Sequence, residues 1–205
     1  MARKTKEDAE KTRASILRAA EICFYEEGVV RTSLQKIAEA AGVTRGAVYW
    51  HFKDKVDLLR AIADETFLPH QRFLDVLAES ELENPLKDLK KQSQDILHSI
   101  AHNLSHRRIF TIITKRCEYV AEMESLMKRN QECRAQVIER LTKILQKAKR
   151  KKQLSTAWAP HTAALALQSL FVGILTIETA WSCPDPIRDR NHTQLLNSFF
   201  EMLEG

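Results

Sequence analysis

Apolar residues recur every three to four positions along almost the whole chain, and very little interrupts them. Across 205 residues there are only five glycines and five prolines. No segment alternates apolar and polar residues for long enough to read as a strand. The pattern therefore predicts an all-α protein. With 44% hydrophobic and 29% charged residues, the composition suits a globular fold rather than a disordered chain. The length suits one compact body or two small ones.

The helices can be placed one by one. Ile16, Leu17, Ala20, Cys23 and Phe24 make one face of a first helix, and Gly28 is placed to end it. Thr32 or Ser33 then caps a short second helix, Thr32 with Gln35 fitting capping-box spacing. Leu34, Ile37, Ala38 and Ala41 form its inner face, and Gly42 terminates it. Thr44 caps a third helix of about two turns. Asp54 opens a fourth, with Leu59, Ile62, Ala63 and Phe67 on its apolar side. Pro69 lacks the donor that would reach residue 65, so it is expected to kink or end that helix.

Further on, Pro85 fits the first turn of a helix running to about Asn103, followed by a shorter one through Arg116. A long amphipathic helix covers about Glu124 to Lys151, an apolar one Pro160 to Trp181, and a last one Asn191 to Leu203. The expected organisation is an N-terminal three-helix helix-turn-helix domain at 1–54 and a C-terminal helical domain at 55–205.

The segment TSLQKIAEAAGVTRGAVYWHFKDK, Thr32 to Lys55, carries the chemistry. Two helices joined by a turn of about four residues containing glycine form the helix-turn-helix pattern. Alanines 38, 40 and 41 let the two helices cross closely. Val48 and Phe52, four apart, must face inward, leaving Gly46, Tyr49, Trp50 and Lys53 outside and Arg45 at the leading edge. A glycine among aromatic, basic and hydroxyl groups suits close approach to a phosphate backbone, and a polarised helix start adds attraction. Arg45 has the fork to read guanine O6 and N7. Thr44, Tyr49, His51 and Lys55 suit phosphates. The competing reading is that Tyr49 and Trp50 merely pack on a neighbouring helix.

The block GVTRGAVYWHFKDK resembles the DNA-binding domain of the TetR family of repressors. With the opening ARKTKEDAEKTR and RCEY at Arg116 to Tyr119, it resembles the branch that represses multidrug efflux pump genes, of the acriflavine-resistance regulator type. The resemblance is dense over residues 1–67 and patchy from about 85. It implies a homodimer on a palindromic double-stranded DNA operator, released by a hydrophobic small-molecule inducer. Carried over by position, Thr44, Arg45, Gly46, Tyr49, His51 and Lys55 contact DNA, with Thr32 or Ser33 near its backbone.

The same resemblance places an inducer pocket among the middle helices. The expected lining is Phe67, His70, Ile96, Phe110, Ile113, Thr114, Cys117, Val137, Leu141, Phe171 and Leu175, with Gln168 and Thr176 as polar anchors. Ile144, Leu145, Leu165, Leu170 and Ile174 read as core. The apolar helix from Pro160 is apolar over more of its circumference than one buried face needs. By resemblance it forms a four-helix dimer seam with the last helix, including Leu195, Leu196, Phe199 and Phe200.

Other features exclude more than they suggest. Residues 1–18 carry six cations against three acids, which suits phosphate contact and equally a solvated terminus. That terminus lacks the apolar stretch of a secretory signal. Gln168, Ser169 and Glu178 interrupt the longest apolar stretch, against a membrane span. Four cysteines without CxxC spacing suit the reducing cytoplasm. His98, His102 and His106 recur every four residues, but three ligands from one helix reach poorly round a metal, so no metal or cofactor is expected. The run Lys147 to Lys152 reads better as a helix C-terminus than as a nucleic-acid patch. No phosphate loop, nucleophile elbow or carboxylate pair points to an enzyme.

Overall fold

The computed structural model describes residues 6–117, 124–180 and 186–204. Arg3 and Lys4 of the basic arm, Glu118 and Tyr119 of the RCEY block, Trp181 and Cys183 lie outside them. Among the described residues there are α-helices, one π-helical turn and no strand. The helices are α1 (Lys6–Glu27), α2 (Leu34–Ala40), α3 (Arg45–His51), α4 (Lys55–Glu79), α5 (Pro85–His102), α6 (Leu104–Thr111), α7 (Glu124–Arg150), α8 (Pro160–Glu178) and α9 (Pro186–Glu204). The π-helical turn, Ile112–Arg116, follows α6 directly. The chain forms two compact units: residues 1–67 with 108–127, and residues 68–107 with 128–205.

The first unit is organised by its caps. Gly28, at φ +86°, donates from its N–H to Phe24 O at 3.0 Å and stops α1. Gly42, at φ +67°, does the same work after α2. Such angles are costly for a residue with a Cβ. Ser33 Oγ accepts from Lys36 N at 3.1 Å and is the α2 cap. Thr44 Oγ1 accepts from Ala47 N at 3.2 Å and caps α3. At the start of α4 the caps are reciprocal: Asp54 Oδ1 accepts from Asp57 N, and Asp57 Oδ2 accepts from Lys53 N. Inside lie Ile16, Leu17, Phe24, Ile37, Val48, Phe52, Leu58, Leu59 and Ile62, joined by Ile109, Ile112 and Leu126.

The second unit buries Leu86, Leu89, Leu97 and Ile100 of α5 with Ala163, Ala164, Leu167, Ile174 and Leu175 of α8. Leu196, Phe199, Phe200 and Leu203 of α9 pack into the same core. Glu178, near the end of α8, is 1% exposed. Arg107 donates to its carboxylate at 2.7 Å and to its main-chain oxygen at 3.0 Å. His192 Nδ1 lies 3.2 Å from the other carboxylate oxygen. One buried acid thus ties α6, α8 and α9. Helix α8 is long and apolar enough to cross a membrane. Its inner side is instead core, and Glu178 accounts for the charge within it.

Four expectations are corrected here. Of the two outcomes expected at Pro69, a kink or an end, the second is excluded, because α4 runs for ten further residues beyond it. Helix α9 begins at Pro186, before the expected Asn191, with proline in its first turn where no donor is needed. Leu165 is 42% exposed rather than core. Leu196, Phe199 and Phe200 are buried within this chain, and of the four residues assigned to a seam only Leu195 is exposed.

Candidate DNA-binding surface and ligand-sensing residues

Helix α3 is fastened by one face and bare on the other. Val48 is fully buried and Phe52 is 3% exposed, whereas Trp50 is 73% and Tyr49 48% exposed. Thr44, Arg45, Gly46 and Lys53 are exposed as well. Large aromatics left out in water are costly unless something covers them.

Arg45 is held in place before any partner arrives. Its Nη2 donates to Tyr49 Oη at 3.1 Å, one helical turn on, and its guanidinium sits 5.3 Å from the Tyr49 ring centroid. Gly46 has no internal reason to be glycine, because an added Cβ would meet only Thr44 Oγ1 at 3.9 Å. Glycine within a helix costs about 0.5–1 kcal/mol, so what it provides here is room outside. His51 is half-buried, with Trp50 edge-on at 4.5 Å.

Two residues assigned to DNA are engaged elsewhere. Thr32 is 1% exposed, and its hydroxyl donates to Gly28 O at 2.7 Å and Cys23 O at 3.2 Å. It closes the end of α1, and the exposed Ser33 takes the cap. Lys55 Nζ donates to Val29 O and Val30 O at 3.1 and 2.9 Å, pinning the start of α4 to the loop after α1. Two of its three N–H donors are thereby occupied.

Loss of the α3 cap tests this local scheme. Thr44→Ala is expected to lower stability by about 1 kcal/mol, read as a shifted denaturant midpoint with unchanged slope.

The residues assigned to the pocket fall on both units. In the first, Phe67, Ile113 and Cys117 are half-buried and each packs against the core. Phe110 is half-buried. Thr114 is exposed and donates to Phe110 O at 2.8 Å, so it is no lining residue in this structure. In the second, Leu141 and Leu175 are core, while His70, Ile96, Val137, Gln168 and Phe171 are half-buried. Thr176 is exposed and donates to Val172 O at 2.7 Å, facing away from the core it was expected to serve.

Burial pushes the Cys117 thiol up, away from the thiolate a redox sensor needs. Burial, with the neighbouring His106, pushes His70 down and favours its neutral form. The histidine stripe is broken: His98 and His102 stack on α5 at 4.1 Å, but His106 belongs to α6 and meets Ser99 at 2.7 Å and His70 at 6.5 Å. Sequence reasoning did not anticipate the buried Arg107 or the half-buried Arg140. An acid inside an apolar helix, at Glu178, was the one signal for the first.

A short helix seated by Val48 and Phe52 behind a glycine turn, with arginine, glycine and two aromatics outward, defines a helix-turn-helix DNA-binding protein. Comparison with known proteins agrees. Residues 16–62 match the model of bacterial regulatory proteins of the tetR family, and residues 84–204 match the C-terminal region of MAATS-type transcriptional repressors. The chain belongs to the TetR family and is a transcriptional regulator. It is 38% identical to the HTH-type transcriptional repressor BepR of Brucella suis over 84% of this chain and 83% of that one. Its fold is similar to NalD, the secondary repressor of the MexAB-OprM multidrug efflux pump in Pseudomonas aeruginosa. The TM-score is 0.83 at 35% identity, covering 97% of this chain and 98% of that one. It is also similar to SmeT, the repressor of the Stenotrophomonas maltophilia SmeDEF pump, in complex with triclosan. There the TM-score is 0.82 at 30% identity, covering 93% and 90%.

Proposed function

We propose that the protein represses a multidrug efflux pump gene in the cytoplasm and leaves its palindromic operator when a hydrophobic, drug-like compound binds. The exposed outer face of α3 carries this reading. Arg45 reads a guanine edge, Gly46 lets the backbone approach, and Ser33, Thr44, Tyr49 and His51 hold phosphates. Lys55 contributes through its remaining donor. The functional division is a reading head at 1–54 and a ligand-binding and dimerising part at 55–205.

Two copies are needed for a two-fold operator. The exposed face formed by Leu165, Gly173, Thr176 and Ile177 of α8, with Leu195 and Met202 of α9, supports pairing with a second copy. The inducer enters among the half-buried residues of the second unit: His70, Ile96, Val137, Gln168 and Phe171. Efflux repression is supported by what NalD and SmeT are called, and triclosan in SmeT supports the ligand class. Ligand and operator then weaken each other by the same factor, as linkage requires.

The test is footprinting on DNA flanking the protein's own gene, repeated with a panel of hydrophobic antimicrobials that includes triclosan. Two protected half-sites one helical turn apart, lost with at least one compound, are expected. Protection that no compound relieves would leave a repressor without the proposed sensor.

A further inference from the structure

Arg140, on α7, is held on one side only. Its Nε donates to Asp75 Oδ1 on α4, while its Nη1 is buried and has no acceptor. Lys147 Nζ donates to Ser80 O at 2.6 Å, and Leu141 and Ile144 are buried beside Arg140. A guanidinium N–H cut off from water and left without an acceptor forfeits its hydration for nothing, so native structures rarely keep one.

The missing group has a definable chemistry. Asp75 already balances the Arg140 charge, so the remaining donor calls for a neutral acceptor oxygen rather than a second carboxylate. Val137, one turn earlier on α7, is half-buried, and Leu141 follows directly. The acceptor must therefore arrive on an apolar body.

We propose that Arg140 is the specificity-determining anchor of the inducer site, its Nη1 donating to a carbonyl or similar neutral oxygen on a flat hydrophobic ligand. This rests on the ligand-sensing reading above. It replaces Thr176 as an orienting polar group and predicts that inducers lacking an acceptor bind less well than shape-matched ones that carry it.

The test compares 2-acetonaphthone with 2-isopropylnaphthalene, alike in shape and differing in one carbonyl. Binding is read by calorimetry, and release by loss of operator complex. The wild-type protein is expected to prefer the ketone by about ten- to a hundredfold. Arg140→Met is expected to abolish that preference by weakening the ketone alone. Arg140→Met combined with Asp75→Leu removes the pair without stranding the carboxylate, and should lose the preference in the same way. Equal affinity of the wild type for both probes, or a preference that survives in both variants, overturns the anchor and leaves the inducer site standing. If neither probe binds or releases operator, the anchor as assigned is overturned, and the inducer site is decided by the antimicrobial panel.

Discussion

Replacing Glu178 with leucine is expected to destabilise the fold by about 3–5 kcal/mol, a large part of the stability of any small domain. The reason is what remains. Arg107 is 6% exposed and loses the carboxylate oxygen that accepts its proton at 2.7 Å. His192, 3.2 Å from the same carboxylate, loses its neighbour too. Arg107→Met alone should be comparably damaging, because Glu178 is then buried without its cation. The double variant should recover most of the loss, since apolar groups of similar volume often replace a buried pair at little net cost. Denaturant unfolding of the four proteins checks this as a double-mutant cycle. Additive losses would show that the two side chains act independently.

The second large effect falls on DNA. Arg45→Ala is expected to cost about 1–3 kcal/mol of binding to the operator and to relax preference at one base position. Affinity for random duplex should change little. Arg45 is already ordered by Tyr49, so little conformational entropy is lost when it meets a base edge. Tyr49→Phe keeps the ring beneath the guanidinium but removes its acceptor, and should give a smaller loss in the same direction. Competition binding with operator and scrambled duplex, at one fixed salt concentration, separates the two components. An equal loss on both duplexes would make Arg45 a phosphate contact.

How far these sites could be read in advance depended on how many neighbours each residue answers to. Val48 and Phe52 were legible because a four-residue spacing on a two-turn helix leaves only one way to face inward. Gly28 and Gly42 were legible because a helix end next to glycine has one common solution. Thr32 and Ser33 were not separable. Both satisfy the local rule for a cap, and only the carbonyls of Cys23 and Gly28 decide which hydroxyl is buried. Lys55 misled for the same reason, its ammonium reaching carbonyls 25 and 26 residues back.

In the second unit the difficulty was angular. Helix α8 is apolar nearly all round, so periodicity could not say which face is inner. Thr176 and Leu165 were turned inward by expectation and are outside. Helix α9 erred the other way, with Phe199 and Phe200 assigned to a partner and found in their own core. Arg107 and Glu178 stand 71 positions apart. An isolated acid in an apolar helix announces that a partner exists, but not which residue it is.

Repression of a particular gene requires that the outer face of α3 read sequence. The most direct measurement is the ratio of affinities for the footprinted operator and for random duplex of equal length at physiological salt. A ratio of about a thousandfold or more, falling when Arg45 is removed, is the predicted result. A ratio near one, unchanged in Arg45→Ala, would mean that this surface grips phosphates without distinguishing one sequence from another.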